Sequence, residues 1–183
     1  MESESLIEWG LEIPRDYTIG KEVSKEMQFW TKEEYLKFAE VMMDKPRSYY
    51  AFELLYWTGI RSGELLALTP SDFDFEKQTL RINKTFHRSK GEDIITTPKT
   101  VKSNRIITLP PFLCDEIKDY LGMFYEIGES ERMFSFTKSY LGHEMERGCK
   151  ASGVKKIRIH DLRHSHVSLS QGYFWDSLSD CLR

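Results

Sequence analysis

Apolar positions along this chain change period twice, and each change marks a boundary between predicted elements. After Trp30 they recur at three- and four-residue spacing, with Tyr35, Leu36, Phe38, Ala39 and Met42 supplying the apolar side of a helix that runs to about Met43. Thr31 and Glu34 have capping-box spacing, and Trp30 with Tyr35 fits a hydrophobic staple over the same helix start. A second helix is predicted over Arg47–Trp57, with Pro46 in its first turn and Tyr50, Ala51, Leu54, Leu55 and Thr58 on one face. Gly59 can end it in the left-handed conformation. A short third helix over Ser62–Leu68 should stop at Thr69-Pro70, because proline disfavours helix in its predecessor.

The middle of the chain has a period of two. Thr79–Asn83 alternates, Ile94-Ile95-Thr96 is β-branched, and Asn104–Leu109 alternates again. Ser89-Lys90-Gly91 gives a turn between the first two runs, and Lys99–Ser103 forms the second connection. These runs predict a three-stranded antiparallel sheet. Helical spacing then returns after Pro110-Pro111 with Leu113, Ile117, Tyr120, Leu121 and Phe124. A further helix is predicted over about Ser139–Cys149, and a last one from His160 or Asp161 with Leu162, Val167 and Leu169. The class implied is α+β, mostly α, with one small three-stranded antiparallel sheet. Residues 1–28 lack periodicity and are expected to be a lead-in or linker, 29–170 the folded domain, and 171–183 an atypical tail.

Composition narrows this only slightly. With 183 residues, 40% hydrophobic and 30% charged, the chain suits one soluble domain, or one plus a short appendage. No apolar run approaches the length of a membrane span, and the acidic start Met1-Glu2-Ser3-Glu4-Ser5 is unlike a signal peptide, so no membrane partner and a cytoplasmic location are expected. Cys114, Cys149 and Cys181 form neither a disulfide framework nor a zinc half-site. The net charge of −3 argues against nucleic acid until the charges are located. Residues 79–111 carry seven Lys/Arg against Glu92 and Asp93, and residues 150–166 carry five against Asp161. A binding face responds to local potential, so both segments suit phosphate contact.

Candidate chemistry concentrates at Arg61, Lys99, His160 and Arg163. Two arginines, a lysine and a histidine can surround a phosphodiester with permanent positive charge and proton donors, without metal or other cofactor. His160, His164 and His166 have no carboxylate or cysteine spaced to complete a metal site, and His164 and His166 are expected to pack beneath the pocket. Lys102 is a rival to Lys99 on the same connection.

Three segments then occur in a telling order. Thr58-Gly59-Ile60-Arg61-Ser62-Gly63-Glu64-Leu65-Leu66-Ala67-Leu68 with Asp72-Phe73-Asp74, Pro98-Lys99-Thr100 with Ser103, Arg105 and Ile107, and His160-Asp161-Leu162-Arg163-His164 together resemble the catalytic boxes of the tyrosine recombinases, the phage-integrase family. The resemblance spans about Phe29–Ser170 and is nearest in flavour to integrases of conjugative transposons and temperate phages. It implies the helical catalytic domain of that family and site-specific DNA recombination or integration in bacteria. The implied partners are double-stranded DNA and further recombinase protomers on it. In the implied roles, Arg61 and Arg163 clamp the phosphate, Lys99 protonates the departing 5′ oxygen, and His160 assists at the attacking hydroxyl. Glu64 would buttress Arg61 or neighbouring backbone. A tyrosine hydroxyl attacks phosphorus to form a 3′-phosphotyrosine, which a second strand's 5′-hydroxyl reverses, so the phosphoester energy is retained and neither ATP nor metal is needed.

The likeness stops near Ser170. Tyr173 lies ten positions past Arg163, too close for the family's spacing, and no further His element follows it. A truncated or frame-shifted tail is therefore expected, with no strand cleavage by the 183 residues alone. The alternative is a non-catalytic DNA-binding remnant of an integrase.

Overall fold

A computed structural model of the protein describes residues 28–97 and 104–169. Residues 1–27 of the expected 1–28 lead-in, the connection carrying Lys99 and Lys102, and the tail with Tyr173 lie outside the described residues.

Helix α1 is Lys32–Met42. Thr31 Oγ1 accepts from the Glu34 N–H at 3.3 Å and Glu34 Oε2 accepts from the Thr31 N–H at 2.9 Å, so the capping box closes reciprocally. The Trp30 and Tyr35 rings stand 6.4 Å apart across that start, as a staple requires. Tyr35, Phe38, Ala39 and Met42 are buried, but Leu36 is 49% exposed, against expectation. A residue next to Tyr35 is rotated about 100° from it, and α1 buries only the stripe facing its neighbours.

Helix α2, Pro46–Thr58, begins on a proline and ends at Gly59 with φ +62°. It is buried on nearly every side, with Phe52, Glu53 and Tyr56 enclosed as well as the predicted face. Such a helix cannot show a one-sided apolar stripe, because it lies among α1 and the helices at Ser62–Leu65 and Pro111–Gly122. Helix α3, Ser62–Leu65, is shorter than expected. Ala67 and Leu68 bond three residues back, and the Leu66 and Leu68 carbonyls accept from Arg132 Nη1 and the Met133 N–H. Contacts from a distant segment therefore end the helix before Pro70 does.

The strands form two sheets. β1 (Phe73–Asp74), β2 (Thr79–Ile82) and β5 (Arg105–Thr108) make a three-stranded antiparallel sheet in the order β1-β2-β5. β3 (Thr85–Ser89) and β4 (Glu92–Thr96) form a separate hairpin. The expected three-stranded sheet exists, but the Ile94-Ile95-Thr96 run pairs with β3, not within it. The spacing did not point to β3, because Phe86 is its single apolar residue.

Helix α4 is Pro111–Gly122 and α5 is Lys138–Ser152. The latter extends past the expected limits because Thr137 caps its start and Gly153, at φ +73°, its end. It crosses α1 at Gly148, where a Cβ would lie 2.4 Å from Phe38 Cε2. A 3₁₀ turn, Ile159–Asp161, leads into α6 at 162–169. Leu162 is buried, whereas Val167 is 48% exposed, a second departure from the predicted apolar face. Trp30 moors the segment before α1 to α6 and to the loop after α5: its N–H donates to Ser165 Oγ at 2.9 Å and its indole to the Lys155 carbonyl at 2.8 Å. Among the described residues no helix is long and apolar enough to cross a membrane.

Candidate active site

The site is assembled where α2 ends. A helix C-terminus leaves carbonyls without intrahelical partners, and here α6 supplies donors to them. The Arg163 guanidinium donates through Nη1 to the Gly59 carbonyl at 2.6 Å. The His166 ring hydrogen-bonds the Tyr56 backbone carbonyl. A Cβ on Gly59 would sit 2.7 Å from His166 Cδ2, so the glycine serves both the left-handed turn and the close approach of α6.

Two residues further on, Arg61 sits at the start of α3. Its N–H donates to Glu64 Oε2 at 2.8 Å and its Nη1 to Glu64 Oε1 at 3.0 Å. Arg105, reaching in from β5, grips the same carboxylate with Nη1 at 3.0 Å and Nη2 at 2.8 Å. Burial would raise the Glu64 carboxyl, but the hydrogen bonds from Arg105 and from Arg61 outweigh it and hold the carboxyl below its ordinary value. Arg163 is pushed down first by burial and then by the charges of Arg61 and Arg105, with Glu64 opposing. Three guanidiniums thus share one electrostatic neighbourhood with one carboxylate, and positive charge is left over. The Arg61 side chain remains 53% exposed, so its other donors are reachable from solvent.

His160 lies in the 3₁₀ turn, three residues before Arg163, exposed and edge-on to the His164 ring at 5.6 Å between centroids. Buried Asp161 holds that turn by accepting from the Arg158 N–H at 3.0 Å and from its guanidinium at 2.8 Å. The structure therefore brings Arg61 and Arg163 together and sets His160 at the head of the helix that carries Arg163. Lys99 lies outside the described residues. Glu64 stands where a buttress was expected, and His166 packs beneath the Gly59 turn.

Arg105 was missed as a site residue, although it falls within the second box. Its signal lay in the alternation of β5: Arg105 shares the half-buried face with Ile107, while Ile106 and Thr108 point outward. An arginine on an inward face implies a carboxylate partner. Some of the clustered cations are engaged elsewhere, and this thins the expected phosphate-contacting hairpin. Lys84 pairs with buried Asp72 at 2.8 Å, Arg81 Nη2 donates to the Ser71 carbonyl, and Arg88 Nε donates to the Gly91 carbonyl.

Comparison with known proteins bears on this constellation. Residues 28–169 match the phage integrase family. The chain is 31% identical over 162 residues to the ICEBs1 integrase of Bacillus subtilis (strain 168), covering 79% of this chain and 43% of that protein. It is 28% identical over 176 residues to the integrase of Staphylococcus phage L54a, covering 82% and 50%. The chain thus spans half or less of the length of these relatives. Its fold is similar to that of the Tn1549 transposon integrase in complex with circular intermediate DNA, with TM-score 0.68, 21% identity, and 78% and 54% of the two chains covered. The XerA recombinase superposes with TM-score 0.61 at 22% identity, covering 85% and 53%.

Proposed function

The chain belongs to the phage integrase family, and from that premise we propose that residues 28–169 act in site-specific DNA recombination by holding one phosphodiester of double-stranded DNA between Arg61 and Arg163. The observation that carries this reading is the single electrostatic neighbourhood of Arg61, Arg105 and Arg163, in which Arg163 is pinned to the carbonyl two residues before Arg61. Guanidinium groups fixed in advance around an anion stabilise the charge that grows on the non-bridging oxygens as phosphorus is attacked. Arg61 and Arg163 are the clamps, and Arg105 acts through Glu64 to orient Arg61.

The remaining roles follow from the boxes. Lys99 gives its proton to the departing 5′ oxygen and His160 assists at the attacking hydroxyl. The electrophile is phosphorus, the new bond is tyrosyl oxygen to phosphorus, and the bond broken is phosphorus to the 5′ oxygen. No tyrosine after Arg163 stands at the family's spacing in these 183 residues, so phosphate binding without strand scission is expected of them alone. Recombination also needs further protomers on the DNA, and a partner protomer could bring the tyrosine to this pocket.

Two measurements test the reading. Arg61→Ala and Arg163→Ala should each weaken binding of inorganic sulfate and of a short DNA duplex; unchanged affinity in both variants would remove the assignment. A nicked suicide duplex should give no covalent adduct with the chain alone, but should give one when an arginine-dead, tyrosine-bearing homologue is added. Salt-sensitive DNA binding with no adduct in either mixture supports the non-catalytic reading instead.

A further inference from the structure

We propose that His166 is a positioning residue for the phosphate site, setting where Arg163 sits relative to Arg61 by mooring α6 to the end of α2. This rests on the reading that Arg61 and Arg163 hold a phosphate. The geometry forms a closed loop. Tyr56 is fixed in the core by stacking on Tyr35, with ring centroids 3.5 Å apart and planes 5° from parallel. Its carbonyl is one of those α2 cannot satisfy internally: Gly59 N–H returns to Leu55, and Ile60 N–H turns to Thr58 Oγ1. His166 bonds that carbonyl from the same α6 face that, three residues earlier, sends Arg163 to the Gly59 carbonyl. Two donors on one helix thus cap two carbonyls at the end of another.

The Gly59 turn lies between these caps. Its backbone is pressed so closely by the His166 ring that no Cβ fits, and the chain leaves it through Ile60 into Arg61. A shift of the ring therefore changes both the direction of the Gly59 carbonyl, which holds Arg163, and the exit of the chain toward Arg61. Burial pushes the His166 imidazole down from its ordinary value, and the nearby Arg163 charge adds to this. The ring consequently places no further cation beneath the guanidiniums at neutral pH, and its effect on them is through position.

Three variants separate positioning from mere space-filling: His166→Phe fills the volume without a donor, His166→Gln keeps a donor without the ring, and His166→Ala keeps neither. Sulfate affinity should fall about fivefold in H166F, equivalent to about 1 kcal/mol at tenfold per 1.4 kcal/mol. It should return to within about twofold in H166Q, the size expected if a single neutral hydrogen bond is what matters. The Arg163 Nε–H resonance should be sharp and slowly exchanging in the native protein and H166Q, and averaged in H166F. Native-like sulfate affinity together with a native-like Arg163 resonance in H166F would overturn the inference. So would an H166Q protein as impaired as H166F. Should H166F not fold, H166A is compared with H166Q in the same way. If the native protein binds no sulfate, the phosphate reading fails, and the Arg163 resonance still decides the positional inference.

Discussion

Glu64→Gln removes one negative charge and leaves shape almost unchanged, and it should be among the most costly isosteric changes in this protein. The Glu64 side chain is 5% exposed and accepts from two guanidiniums and one backbone N–H. Removing one partner of a buried ion pair typically costs about 3–5 kcal/mol because the other charge stays buried. Here Arg105 is largely enclosed but Arg61 is half in water, so the Arg61 share is discounted and about 2–3 kcal/mol is expected at neutral pH. With a urea slope of about 1–3 kcal/mol per molar, the unfolding midpoint should drop by about 0.7–3 M. The pH dependence has a definite sign. The folded carboxyl lies below its ordinary value, so its contribution is present above the unfolded value near 4.5 and is lost as pH falls through the folded value. Native and E64Q unfolding curves should therefore converge under strongly acidic conditions. Sulfate should stabilise E64Q more than the native protein, because an anion can replace the missing charge among three guanidiniums. A gap below about 0.5 kcal/mol at pH 7, the range of ordinary surface changes, would refute the reasoning, as would a gap that persists undiminished in acid.

Two other substitutions probe packing and buried charge. Gly148→Ala must push Phe38 and Met42, whose atoms lie 2.4 and 2.8 Å from the added Cβ, and should cost about 1–3 kcal/mol in thermal or urea unfolding. Gly142→Ala on the same helix meets nothing within 4 Å and should instead gain up to about 1 kcal/mol. Burial pushes the Glu53 carboxyl up to about 7, with Tyr35 and Trp57 hydrogen bonds opposing and Glu116 adding to the rise. A raised folded value means that Glu53's stabilising contribution is whole below about pH 4.5 and is lost as pH rises through about 7. The loss should approach about 3 kcal/mol, and Glu53→Gln should abolish that slope in unfolding measured from pH 5 to 8.

Local chemistry was legible in the residues themselves. Thr31 and Glu34 are three apart and had to meet once a helix began, Pro46 and Gly59 bracket α2 through their fixed and permissive backbones, and the ordered boxes pointed to the family without coordinates. Spacing of three and four residues encodes such facts because the helix repeats at about 3.6 residues. Only the tertiary structure decided the rest. Leu36 and Val167 fit an apolar stripe, yet each stays about half exposed, because which side of a stripe is covered depends on neighbours distant in sequence. β2 pairs with β5 across the β3–β4 hairpin, a choice that alternation alone leaves open. The site follows the same rule. The Arg61 and Arg163 side chains were nameable from the boxes, but the contact between Arg163 and Gly59 closes a separation of 104 residues. Within that stretch, the convergence of Arg105 on Glu64 closes a separation of 41 residues that no local period connects. Charges so far apart along the chain meet only because packing the intervening helices and strands brings their backbones to one place.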